Sequence, residues 1–129
     1  MPSPRRTPPP ESFLPLTPAA FEILLALAGG ELHGYAIMQA VERRTDGATK
    51  LLPGTLYRAL SRMLEGGLIV DARSRRRPGE ERRRRYLITE LGRQTLAAET
   101  RRLSRQVRAA KRVESRAPED RDSAKASES

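Results

Sequence analysis

Residues 51–88 read LLPGTLYRALSRMLEGGLIVDARSRRRPGEERRRRYLI, and the order of signals within them decides the fold. Pro53-Gly54-Thr55 opens a segment in which Leu56, Leu60, Met63 and Leu64 recur at the spacing of one helix face. Gly66-Gly67 stops that helix, and Leu68-Ile69-Val70 begins an extended run whose β-branched residues suit a pleated surface. After the arginine-rich stretch 73–85, Tyr86 and Ile88 alternate with Arg85 and Leu87 at the period of a returning strand. Pro78-Gly79 marks the turn between the two strands, so residues 73–85 read as a presented hairpin tip rather than a tail. A hairpin of this size is marginal unless its apolar face packs on helices. Its like charges repel one another, and a dense polyanion relieves that repulsion.

The chain upstream supplies the helices. Thr17 is a plausible N-cap with Pro18 at the first helical position, and Phe21, Leu24, Leu25 and Ala28 follow at helical spacing until Gly29-Gly30. A second helix is expected from near Gly34 to about Arg44. Ile37, Met38 and Val41 form its apolar face, while Gln39, Glu42 and Arg43 suit solvent or a polar partner. His33 reads as a polar helix-start residue, and Asp46-Gly47 as a turn. Three helices followed by a hairpin make a winged helix-turn-helix. The expected class is therefore mainly α with a small β-hairpin, followed by a C-terminal dimerisation helix.

That last helix is predicted after Thr89, over residues 90–113. Leu96, Leu103 and Ala110 repeat at seven-residue spacing with Val107 beside them, while Ala98, Glu99, Gln106 and Val113 flank the seam. A long, lightly apolar helix has little of its own chain to lie against, and a two-fold dimer would supply the partner. Packing on the first helix of the other subunit and a parallel coiled coil both satisfy the pattern. The expected organisation is a flexible proline-rich arm at 1–15, a DNA-binding winged helix-turn-helix at 16–89, the dimerisation helix at 90–113 and a disordered tail at 114–129.

Composition narrows the partner. The 129 residues carry a formal net charge of +9 and are 37% hydrophobic, which suits one small domain with extensions. Cysteine is absent and His33 is the lone histidine, which excludes disulfides, thiol catalysis and cysteine-based zinc fingers. There is no 18-residue apolar run, and MPSPRRTPPPE lacks the apolar region of a secretory signal, so a cytoplasmic protein, nucleoid-associated when bound to DNA, is expected. Neither a nucleophile–base–orienter set nor a phosphate-binding glycine loop nor a paired metal-ligand motif is visible; no enzymatic activity, cofactor or metal is expected. Double-stranded DNA is the expected partner.

Within that reading, Thr55, Arg58 and Arg62 share one side of the third helix at i, i+3 and i+7, where arginine can meet a guanine edge or a phosphate. The helix start at Gly54 and Thr55 adds partial positive charge. Tyr57 either contacts DNA or fills the edge between helices, and Tyr35 sits where the second helix would cross the backbone. In the wing, Arg75, Arg76, Arg77, Arg82, Arg83 and Arg84 converge from two strands on one tip, with Glu80 and Glu81 in the loop.

The combination HGYAI (33–37), LLPGTLYRALSRMLEGGLI (51–69) and RRYLITELG (84–92) resembles the PadR family of bacterial transcriptional regulators, specifically its smaller class with a short C-terminal helical region. The resemblance covers most of residues 16–96. It implies a recognition helix starting at Gly54, Thr55, Leu56 and Tyr57, a wing at or near the minor groove, and dimerisation through the C-terminal helix. It also makes Tyr35 and Tyr57 candidates for backbone contact. Arg85 stands where the family usually has the first of two tyrosines, and Leu52 where a small polar residue precedes Pro-Gly-Thr. Some relatives respond to phenolic compounds, so the resemblance leaves room for a small aromatic or other small-molecule effector of unspecified identity. The function expected is a homodimeric repressor at an inverted-repeat operator. A nonspecific nucleoid-binding or architectural protein is the alternative.

Overall fold

The computed structural model describes residues 7–72 and 84–128. A single 3-10 turn, Pro10–Phe13, precedes helix α1, Pro18–Leu27. Strand β1, Leu32–His33, leads directly into helix α2, Gly34–Arg44. Helix α3 is Pro53–Gly66, strands β2 and β3 are Ile69–Asp71 and Arg85–Ile88, and helix α4 runs Glu90–Glu128. The chain divides into two compact units, residues up to Glu99 and residues from Thr100 onward, the latter being the remainder of α4.

The helix boundaries have local causes. The Thr17 hydroxyl accepts a hydrogen bond from the Ala20 N–H at 3.1 Å, and His33 Nδ1 accepts from the Ala36 N–H at 3.2 Å. Both satisfy a first-turn donor that the helix itself leaves open. Helix α3 stops at Gly67, whose φ of 80° is the left-handed geometry that glycine adopts without a steric penalty. Asp46 and Gly47, at φ 50° and 79°, form the turn expected after α2.

The sheet is larger than the expected hairpin. Strand β3 lies in the middle, antiparallel to both neighbours: β2 pairs as Ile69↔Ile88, Val70↔Leu87 and Asp71↔Tyr86, and β1 as Leu32↔Tyr86 and His33↔Arg85. Two residues are too few to display a strand period, which hid β1 from a pattern-based reading. The pairing occupies what would have been a free edge of β3.

Ile23, Leu24, Leu27, Ile37, Val41, Leu56, Leu60, Met63, Leu68, Ile69 and Tyr86 make one core from helices α1 to α3 and the sheet. Each aliphatic side chain buried there contributes about 1.5–3 kcal/mol. On α1 the buried stripe is Ile23, Leu24 and Leu27, rotated from the expected Phe21, Leu24, Leu25 and Ala28; Phe21 and Leu25 are only half-buried. The helix is apolar nearly all round, so periodicity alone could not select which face turns inward.

The start of α4 is tied to the core through Thr89. Its hydroxyl donates to the Gly67 carbonyl at 2.6 Å and accepts from the Gly92 N–H at 3.0 Å, capping the helix and fastening it to the α3 stop. A Cβ at position 92 would collide with the carbonyl oxygen of Leu68. The T-x-x-G spacing of residues 89–92 is thus a cap followed by the close approach it produces. Further along α4, Glu99 is buried and its Oε2 accepts the Leu16 N–H at 2.9 Å. Glu99 was expected to flank an intermolecular seam; instead it belongs to the interior of its own chain. Helix α4 also continues past 113, where its end was expected, to Glu128, and Pro10–Phe13 is a helical turn within the segment expected to be a flexible arm.

Candidate nucleic-acid interface

The solvent face of α3 carries Gly54, Tyr57, Arg58, Ser61 and Arg62, all exposed, opposite the buried Leu56, Leu60 and Met63. This exposed stripe follows from the helix period once the apolar stripe is committed to the core. The helix start is open as well. Leu52, at the N-cap, makes no side-chain capping bond, and Pro53 at the first position has no N–H. The remaining first-turn N–H groups and the positive end of the helix dipole therefore accompany Gly54 and Thr55.

The residues expected on α3 divide between its two flanks. Thr55, Arg58 and Arg62 line a groove of about 340 Å³ whose other walls include Phe13, Leu16 and Ala20. Thr55 is half-buried there, while both arginines are exposed. Tyr57 faces the opposite way. It lines a cleft of about 560 Å³ with His33, Gly34, Tyr35, Gln39, Arg84 and Tyr86.

That cleft brings together three elements far apart in sequence. Tyr35 and Gln39 come from α2, one helical turn apart, Tyr57 from α3, and Arg84 from the residue preceding β3. Tyr35 and Tyr57 are 61% and 50% exposed, so both side chains present surface to an incoming partner. Tyr57 also packs: its hydroxyl lies 2.7 Å from where a Cβ of residue 34 would stand. The two alternatives weighed for Tyr57, contact and packing, are compatible in one side chain. Gln39 and Ser61 were not singled out as contact residues. The i, i+4 relation of Gln39 to Tyr35, and the place of Ser61 between Arg58 and Arg62, were the signals available for them.

Arg84 is held rather than free. Its Nε donates to Asp71 Oδ2 at 3.1 Å, and its guanidinium hydrogen-bonds the Tyr86 hydroxyl. Burial pushes the Tyr86 phenol above its ordinary pKa near 10, and the positive charge and hydrogen bond of Arg84 offset part of that rise. Arg85 turns toward the start of the sheet, with its Nη1 3.6 Å from Glu31 Oε1. Its charge is partly compensated within the chain. Arg75, Arg76, Arg77, Arg82, Arg83, Glu80, Glu81 and the Pro78-Gly79 turn lie outside the described residues.

Of the residues expected at the dimer seam, Leu96 is half-buried and packs against the core of its own chain. Leu103 is half-buried, Ala110 is exposed and Val107 is 52% exposed. Among the described residues no helix is long and apolar enough to cross a membrane, and no cluster of three or more His, Asp or Glu could hold a metal ion.

Comparison with known proteins agrees with this geometry. A transcriptional regulator from Clostridium thermocellum superposes with a TM-score of 0.62 at 24% identity, covering 72% of this chain and 89% of that one. RosR of H. salinarum gives 0.55 at 22% identity over 84% and 96% of the two chains, and the TA0346 protein of Thermoplasma acidophilum 0.57 at 23% over 75% and 90%. At these identities the likeness establishes the fold. An uncharacterized 37.1 kDa protein in transposon TN4556 of Streptomyces fradiae is 40% identical over 85 residues, 64% of this chain. The chain spans 22% of the length of that relative. The model of the transcriptional regulator PadR-like family matches residues 23–98, which include the second half of α1, all of α2 and α3, the sheet and the Thr89–Gly92 junction. The chain belongs to the transcriptional regulator PadR-like family.

Proposed function

We propose that the chain acts as a homodimeric, sequence-specific repressor at an inverted-repeat operator, with residues 16–89 as the DNA-binding unit and residues 90–113 as the dimerisation helix. The observation that carries this reading is the convergence of Tyr35, Gln39, Tyr57 and Arg84 beside the exposed Tyr57, Arg58, Ser61 and Arg62 stripe of α3. Such a surface presents base-reading side chains along a helix and backbone-contacting donors next to it. Gly54, Thr55, Arg58 and Arg62 enter the major groove, Tyr35 and Tyr57 hold the adjacent backbone, and Arg84 with the wing arginines Arg75, Arg76, Arg77, Arg82 and Arg83 contacts flanking phosphates or the minor groove.

Two features support the dimer. Leu103, Val107 and Ala110 leave apolar surface on α4, and Phe21 and Leu25 leave it on α1, off the core-facing stripe. Packing α4 of one subunit on α1 of the other would cover both. Two recognition helices related by a two-fold axis would then read half-sites about one helical turn apart, and occupancy would exclude the transcription machinery.

Selection of the purified chain against randomised duplexes at near-physiological salt, followed by footprinting and sedimentation, tests the reading. Enrichment of a two-fold site protected by a dimer is expected. Binding without enrichment would instead identify a nonspecific architectural protein.

A further inference from the structure

The ion pair between Asp71 and Arg84 sits beside the proposed DNA-contacting cleft, and its presence there needs a reason. A carboxylate near a DNA-facing surface repels phosphate, so an acidic residue with no other role lowers affinity. Asp71 nevertheless takes the Nε edge of Arg84, at 3.1 Å, while the Tyr86 hydroxyl accepts from the same guanidinium. Asp71 and Tyr86 are register partners across β2 and β3, so both anchors come from one rung of the sheet. The guanidinium has five N–H donors in a planar fork, and fixing it at two points leaves others available along the cleft wall. The remaining polar lining includes His33, Tyr35, Gln39 and Tyr57, among which are hydroxyl and amide donors, and no carboxylate is found among the described lining residues.

We propose that Asp71 is a positioning residue that holds Arg84 across this cleft, and that the cleft seats one backbone phosphate of duplex DNA between Arg84, Tyr35, Gln39 and Tyr57. Holding the arginine in advance removes the rotamer freedom a long side chain would otherwise lose on binding. The gain in orientation outweighs the repulsion from the Asp71 carboxylate, because that half-buried carboxylate already has its charge offset by the guanidinium it pairs with, whereas charge-assisted hydrogen bonds depend steeply on geometry. This inference rests on the reading of the chain as a duplex-binding regulator and adds a specific phosphate contact to it.

The sign of one substitution separates this role from a merely solvated carboxylate. In a salt titration of the full chain on its selected duplex, Asp71→Asn is expected to weaken binding by about tenfold, the change that loss of one charge-assisted contact carries. Asp71→Glu keeps the carboxylate and is expected to retain most of the affinity. In an Arg84→Ala background, which lowers the slope of log affinity against log salt by about one, Asp71→Asn is expected to cause no further loss. Arg84→Lys keeps the charge but not the fork, lies on an exposed side chain, and is expected to weaken binding as well. Should Asp71→Asn fail to fold, Arg84→Lys decides alone. Asp71→Asn or Arg84→Lys binding as tightly as the unaltered chain, or more tightly, overturns the positioning role while leaving the regulator reading intact. An unaltered chain that binds no duplex overturns both.

Discussion

The Tyr57 hydroxyl stands 2.7 Å from the place a Cβ would occupy on Gly34, so the start of α2 and the exposed face of α3 are fitted to one another through a single missing methyl group. Leu56 Cδ2 lies 3.4 Å from the same point, which leaves the exposed ring of Tyr57 as the part able to yield. Gly34→Ala is therefore expected to cost no more than about 1 kcal/mol of stability, because rotating a half-exposed side chain is cheaper than moving a core. Its larger effect should be on DNA binding, through displacement of Tyr57 from the cleft. Parallel urea melts and duplex titrations check this; a stability loss without a binding loss would mean that the backbone, not Tyr57, gives way.

Gly92 presents the opposite case. The atom in the way is a backbone carbonyl, that of Leu68, at the junction where Thr89 fastens α4 to the stop of α3. Gly92→Ala is expected to destabilise by about 3 kcal/mol or more, since a main-chain clash in a capped junction has no flexible partner to relieve it. Equilibrium unfolding in urea measures it, and a midpoint near that of the parent would contradict the packing described.

Leu52 leaves the first turn of α3 uncapped while standing 68% exposed. Leu52→Ser supplies an acceptor for an open N–H and is expected to raise stability by about 1 kcal/mol. A thermal melt is sufficient to check it, with a fall in the transition temperature as the contrary result.

Arg58 lies on the groove flank of α3 and Tyr57 on the cleft flank. If Arg58 reads a base edge, Arg58→Ala should cost roughly 1–3 kcal/mol on the selected operator and markedly less on a scrambled duplex. Equal losses on both would assign Arg58 to phosphate contact alone.

Tyr86 should titrate above the ordinary tyrosine value, because burial disfavours its phenolate. Below its ordinary pKa of about 10 the phenol is neutral in folded and unfolded chains alike and contributes no pH dependence. Above that value the unfolded chain loses its proton first, so stability falls as pH rises toward the raised folded value. Phenolate absorbance should show a phase above the ordinary tyrosine value, and Tyr86→Phe should remove both that phase and its share of the alkaline destabilisation.

Much of the fold could be read along the chain because its signals are local. Thr17-Pro18, His33-Gly34, Asp46-Gly47, Gly66-Gly67 and Thr89 act through atoms a few residues away, and the structure places a helix boundary or turn at each. The core faces of α2 and α3 were legible for the same reason, since each has a polar side to contrast with its apolar one. Helix α1 lacks that contrast, and its buried face was displaced by one position.

The candidate surface was less accessible to such reading. Tyr35, Tyr57, Arg58, Arg62 and Arg84 were all named from residue type and resemblance, but their division between two flanks of α3 was not. Local chemistry thus set where α1 to α3 begin and end, where α4 begins, the winged helix-turn-helix order and the basic character of the candidate surface. The pairing of β1 with β3, the burial of Glu99 against Leu16, and the meeting of Asp71, Arg84 and Tyr86 were decided only by tertiary structure. Each of those joins residues whose interaction depends on a distance of a few ångströms in space, and no periodicity along a chain encodes which distant segments will come that close.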